Sequence, residues 1–330
     1  MSYHVSAVLP ILSCALLASC ATTVPVQVVR PAELDLGSAK TIAVLPFQVS
    51  NSKNYEVTGS SFFDVVNAVN FFISDGDQNE IQAASFLTSK ITEGLSDSRY
   101  FTLVDESVVK QAIGSGTKPP ADVYLTGKFT KFTYTTTSRK QKETVDDKER
   151  TVIYYTRSVN ASVTYQLVDS ATSSIIAYRS RDLSSSGYEQ QDRNLLASPY
   201  DIIEDDLSSL AREILHKIQP YQETVNISLL SDKSKDPDMK TADELAKQGL
   251  IGQSLEKFRE VYELRGTFEA GYNAAKLLQA EGRLDDAYHL MNELADNTGD
   301  KRAVQGLSQI DYERKQALRL QNQQAARGNK

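Results

Sequence analysis

Both cysteines of the chain, Cys14 and Cys20, lie in or just after one apolar stretch near its start, and this placement limits what the remainder can become. The run from Val5 to Leu17 is broken only by Pro10, Ser13 and Cys14, and it closes on Leu17-Ala18-Ser19-Cys20. It is well short of the ~20 residues that a spanning helix needs. The small residues at its end suit removal of an export signal. No cysteine follows Cys20, so the folded part holds no disulfide, thiol nucleophile or cysteine-ligated metal, and burial has to hold it together.

Leu17-Ala18-Ser19-Cys20 resembles a bacterial lipobox. The resemblance implies that a signal peptide over 1–19 is cut off, that the Cys20 thiol takes a diacylglycerol, and that its new amine takes a further acyl chain such as palmitate. The lipid bilayer would then be a partner through acylated Cys20. Ala21, where an Asp would signal otherwise, is similar to the outer-membrane sorting class and implies a lipoprotein facing the periplasm. Each buried methylene contributes ~0.8 kcal/mol, and two lipid signals already anchor stably.

Charge narrows the function classes. With 36 basic and 43 acidic residues the chain carries −7, a poor match to nucleic acid, whose affinity comes from basic side chains on phosphates. Only His216 and His289 remain beyond the export region, so imidazole catalysis is hard to assemble. Asp75, Asp77 and Asn79 alternate like calcium ligands, yet the sixth and twelfth places hold Glu80 and Phe86 instead of Gly and Glu. Gly114-Ser-Gly-Thr-Lys118 runs into Pro119-Pro120 and lacks the helix a phosphate loop requires. The expectation is no enzyme, no metal and no cofactor.

Periodicity divides the chain. Residues 20–40 have no period and predict a lipidated flexible tether. Thr41 to Phe47 predicts a strand buried on both faces. Phe62, Val65, Val66, Val69, Phe72 and Ile73 recur at helical spacing. Asp77 and Glu80 suggest a capping box before a helix over 79–95. A strand over 99–105, a helix over 106–113 and a strand from Asp122 toward Thr137 follow. The run 139–150, five basic and four acidic residues, predicts a solvated hairpin tip. In 158–168, Val159, Ala161, Val163, Tyr165 and Leu167 alternate with polar residues, the pattern of a strand with one wet face. Residues 175–185 should return antiparallel, 200–218 should form an amphipathic helix stopped by Pro220, and 224–230 should add an edge strand completing the sheet.

The order of "IAVLPF", "SRYFTLVD", "ADVYLTGKFTKF" and "VTYQLVDSATSSIIAY" resembles the CsgG and LpoB group of bacterial envelope lipoproteins over roughly residues 41–222. That resemblance implies a small mixed sheet packed by helices, in proteins that stimulate penicillin-binding peptidoglycan synthases or form an oligomeric secretion pore. It brings no catalytic residues. Lys128 to Ser138 alternates too poorly for membrane strands, because Phe129 and Lys131 share a face.

Residues 231–238 look like a charged linker, and a helical domain is expected over 239–330. Gly249, Ser254 and Phe258 recur as Gly282, Ala287 and Met291, each 33 residues later. Tyr272 to Ala287 resembles a tetratricopeptide repeat, in which small Ala275 and Ala287 admit a close helix pair and Gly282 ends the first helix. Tyr272, Leu277, Leu278 and Met291 would fill the gap. A capping helix is expected over 303–324, with 321–330 fraying.

The fold class expected is therefore α+β: an α/β domain over 41–230, then an all-α domain resembling tetratricopeptide repeats. The expected role is a lipid-anchored periplasmic adaptor in cell-envelope assembly. It would contact envelope proteins through the α/β domain and the repeat-like face, without nucleic acid. A channel component and a small-molecule sensor are the alternatives.

Overall fold

The computed structural model describes residues 22–50, 77–145 and 148–328. Cys20 with its cleavage site Leu17, Ala18 and Ser19, and the apolar series from Phe62 to Ile73, lie outside the described residues. The chain divides into two units, residues 31–221 with 319–330 and residues 1–30 with 222–318.

The first of these is a mixed α+β unit. β2 (Thr41–Val44) lies between β3 (Thr102–Leu103) and β4 (Val123–Val145) and runs parallel to both, while β4, β5 (Lys148–Asp169) and β6 (Ile175–Ser186) are antiparallel, in the order β3-β2-β4-β5-β6. On one face the apolar stripes of α1 (Gln78–Ser96) and α3 (Pro199–Ile218) meet Val159, Ala161, Val163, Tyr165 and Leu167, all buried. On the other, α2 (Glu106–Gly114) lays Val109 and Ile113 against Ala43, Leu45, Tyr124 and Val168. Cover on both sides explains why β2 is an unbroken apolar run rather than an alternating one. Beyond α2's reach, Ser158, Asn160 and Ser162 stay on a polar face and bond across to Ser186, Ser184 and Asp182. Ser198 and Asp201 close a capping box at the start of α3, with Pro199 in its first turn.

One cap differs from expectation. Asp77 accepts from the Asn79 N–H, but Glu80 turns away and accepts the Ser50 N–H at 2.6 Å. A half-buried backbone donor takes the buried carboxylate in place of the helix end.

The helical unit holds α4 (Pro237–Lys247), α5 (Ile251–Arg265), α6 (Phe268–Ala280), α7 (Leu284–Thr298) and α8 (Lys301–Ala326) as far as Leu318. Its period is 33 residues, since the bounds of α5 shifted by that number are those of α7. Gly249 and Gly282 both take left-handed φ, +77° and +75°, and the following N–H groups reach back to Leu245 and Leu278 at 3.0 Å. These are the six-to-one bonds that end a helix at glycine. Gly266 and Gly299, at φ 63° and 62°, end α5 and α7 by the simpler bond of their own N–H groups to Tyr262 and Ala295.

Three expectations are corrected here. Residues 22–30 are not a loose tether: β1 (Thr23–Arg30) is a strand paired with β7 (Tyr221–Ser228). Thr22 contacts Leu229, Gln27 contacts Thr224 and Arg30 contacts Glu223, so the two run antiparallel. For the same reason β7 does not complete the five-stranded sheet. Its Ile227, with Leu229 and Val24, is buried among Met239, Ala242 and the helices behind them, where the apolar cover is. Nor do residues 321–326 fray, because Gln323 and Arg327 are buried. Gln323 accepts the Ala32 N–H and donates to the Ala32 carbonyl, both at 2.9 Å. Accordingly the units exchange at residues 30/31, 221/222 and 318/319 and not at the 231–238 segment.

Candidate functional site

Two places concentrate chemistry: the inner face of the helical unit, and the long β4–β5 ribbon of the α/β unit. The helical site begins with α6, whose residues from Ala270 to Gln279 are all buried. A helix covered all round has neighbours on every side. Of the residues expected to pack, Ser254, Phe258, Ala275, Ala287 and Met291 are fully buried, and Tyr272 is 9% exposed. Ser254 also donates to the Ala242 carbonyl at 2.7 Å, so the small residue joins two helices by a hydrogen bond as well as by its size. Gly271 allows α6 close to Tyr262 and Leu294, since a Cβ there would stand 2.8 Å from the Tyr262 ring.

Sequence periodicity missed the polar residues of α6. Asn273, 1% exposed, accepts the Leu230 N–H at 2.7 Å and donates to the Leu230 carbonyl at 2.9 Å. It grips both backbone groups of a single residue. One turn on, the Lys276 ammonium donates to the side-chain carbonyls of Gln279 at 2.6 Å and Gln309 at 3.0 Å. Burial pushes Lys276 down to about 8, with the Glu313 carboxylate pulling the other way. Arg30, at the end of β1, donates to both oxygens of Glu313 and to Glu223, and lies 5.8 Å from the Tyr312 ring centre. Bonding to Glu313, opposed by burial and aided by Glu223, holds this guanidinium above its ordinary range. The signal that could have found them is three polar side chains, Asn273, Lys276 and Gln279, inside an otherwise small and apolar run. Together these contacts tie α6 to the chain after β7 and to α8, and tie β1 to β7 and α8.

In the α/β unit, β4 and β5 stay paired out to Val145 and Lys148, whereas β6 accompanies β5 only as far as Ser158 opposite Ser186. Outward of that point a two-stranded arm continues for ten more pairs on β4, from Thr136 to Val145. Near its base the chain after β6 touches it, through the Gly187 N–H on the Arg157 carbonyl and a bridge between Tyr155 and Gln190. Tyr134 at its base donates to Asp77 at 2.8 Å, which raises the phenol. Burial acts against the Asp77 carboxylate, but bonds from Asn79 and Tyr134 leave it below its usual range. Further out, Arg139 pairs with Glu189 and lies 5.2 Å from the Tyr154 ring centre. Ile153 and Tyr134 are exposed, as are Lys140, Lys142, Lys148 and Arg150.

Among the described residues no group of three His, Cys, Asp or Glu could hold a metal ion, and no helix is long and apolar enough to cross a membrane. No family model and no curated protein matches the sequence. Among solved structures the chain is similar to the PelC dodecamer from Paraburkholderia phytofirmans, at 14% identity over 58% of this chain and 97% of that chain with a TM-score of 0.27. It is also similar to the hypothetical protein CT253 from Chlamydia trachomatis, at 15% identity over 54% and 96% with a TM-score of 0.28. Protein XCC0632 from Xanthomonas campestris follows, at 11% identity over 57% and 90% with a TM-score of 0.29. At these scores none of the three assigns this chain a family or a function.

Proposed function

We propose that this chain is a lipid-anchored interaction protein of the bacterial envelope, acting without catalysis in the manner of the penicillin-binding-protein activators or secretion accessories of the CsgG and LpoB group. Cys20 would carry the lipid, and the α/β unit would carry the partner. The observation that supports this most is the β4–β5 arm. A two-stranded ribbon alone is marginal in water, and ten pairs beyond the last residue of β6 expose Ile153 beside a series of lysines and arginines. Such an arm is stabilised when a second surface covers it.

The helical hairpins, with their 33-residue period, would be repeats resembling the tetratricopeptide class. Asn273 on their inner helix already holds this chain's own Leu230, so recruitment through the helical unit would use its outer surfaces. A membrane-spanning role for the arm fits less well. One of its faces presents Lys140, Lys142 and Glu149 and the other Arg139, Glu143 and Arg150, and neither offers the apolar band of a lipid-facing strand.

The test joins two measurements on the mature protein. Mass spectrometry of the N-terminal peptide should find acylated Cys20. A photo-crosslinker at Ile153 should give one discrete adduct in envelope membranes, lost when residues 139–150 are replaced by a tight turn. Discrete adducts that survive this replacement would contradict the role of the arm.

A further inference from the structure

The order in β1 bears on where the bilayer would lie. Thr22 already accepts the Leu229 N–H at 2.8 Å, and Val24 is 4% exposed within the helical core. The chain is therefore fixed from its first described residues. Cys20 stands three residues before Thr23, and an extended chain covers at most ~3.6 Å per residue, so the two are within about 11 Å of each other. The polar layer on each side of a bilayer is itself ~5–8 Å deep. A cysteine whose acyl chains sit in the hydrocarbon leaves no room for a gap between Thr23 and the headgroups.

Thr23 lines one end of the helical unit. Together with Val26, Ala246, Gly249, Ile251 and Glu281 it borders a groove of about 590 Å³. Beside it, the turn between α4 and α5 presents Leu250, 40% exposed. Leu264, at the far end of α5, is 80% exposed and lies ~20 Å away along the helix axis.

We propose that the end of the helical unit formed by Thr23, the Gly249-Leu250 turn and this groove rests directly on the bilayer, held there by a three-residue leash. The proposal rests on the lipid-anchor function above and deepens it by naming the surface that meets lipid. Leu250 and Ile251 enter the interface, while Lys247 and Gln248 stay at headgroup level, as long polar side chains do beside apolar ones.

The acylated full chain is reconstituted in phosphatidylethanolamine and phosphatidylglycerol vesicles. Acylation blocks Cys20, so Leu250→Cys or Leu264→Cys provides the one reactive thiol for an environment-sensitive dye. Expected are a blue-shifted emission at 250, quenched by headgroup-proximal spin-labelled lipid, and no such change at 264. A flexible Gly/Ser spacer of about 15 residues between Ala21 and Thr22, reaching ~20 Å, should abolish the difference. Equal emission at the two sites, or a shift at 250 that survives the spacer, would overturn the placement while leaving the anchor in force. An N-terminal peptide without acyl groups would overturn the anchor and the placement together.

Discussion

Replacing Asn273 should loosen the ribbon from the helices by an amount the geometry sets. The side chain makes two bonds to the backbone of Leu230, at 2.7 and 2.9 Å. Losing a partner of a buried backbone group costs ~1–3 kcal/mol, and about 1 kcal/mol where water can replace it. Leu230 is half-buried, which places the sum near ~2–4 kcal/mol. Asn273→Leu keeps the volume and removes both bonds, so it separates the hydrogen bonds from packing. With a urea dependence of about 2 kcal/mol per molar, a loss of this size lowers the unfolding midpoint of the helical unit by ~1–2 M. Far-UV circular dichroism follows that transition, and hydrogen exchange reads the Leu230 amide directly. A midpoint within ~0.3 M of the parent, with the Leu230 amide still protected, would refute the assignment of Asn273 as a clamp.

Other perturbations follow from the same structure. The folded value of Lys276 is about 8 against 10.5 for the free group, so between those two pH values the unfolded chain binds more protons and stability rises with pH. The burial penalty is fully present below pH 8, and its removal is worth about 3 kcal/mol at most. Urea midpoints from pH 7.5 to 10.5 should climb in the parent more than in Lys276→Met. In the sheet, Gly127→Ala would place a Cβ 2.3 Å from the Phe47 ring and 2.7 Å from the Thr164 carbonyl oxygen. Overpacking of that kind costs ~1–3 kcal/mol, visible as a lower Tm with both units still folded. Gln323→Ala removes both bonds to Ala32 and should cost ~2 kcal/mol, with faster exchange of the Ala32 amide while the amides of α5 and α7 are unchanged.

Where a residue's environment is set by its near neighbours in sequence, the fold was legible. Val159 to Leu167 alternate as a one-sided strand should, the α3 stripe from Ile203 to Ile218 is buried, and the glycine ends at 249 and 282 sit at the spacing the repeat implies. Long-range choices were not legible. Thr224 to Leu230 is a good strand in any sheet, and nothing local says whether it joins β6 or β1. Burial of Ile227 and Leu229 against the helices decides it. Residues 21–40 mix Pro, Thr and Gln with valine, so composition reads as a linker, although Thr23 to Arg30 alternates exposed and covered positions once β7 is beside it.

The same distinction explains what was missed at the candidate sites. Packing residues such as Phe258, Ala275 and Met291 declare themselves by size and period. Asn273 and Arg30 do not, because their partners are Leu230, Glu223 and Glu313, up to 283 residues away. Most buried polar groups find a partner, and two of those in α6 reach outside the helix to find it. Asn273 reaches the chain after β7, and Lys276 reaches Gln309 on α8. The inner helix therefore already has a partner segment within this chain, while β1 is tied to α8 through Arg30 and Glu313. Beginning the chain at Lys40, as a tether over 20–40 would invite, would remove β1 and with it Val24 and Arg30 from the core of the helical unit. The stretch that looked most dispensable is the one on which the helical unit closes.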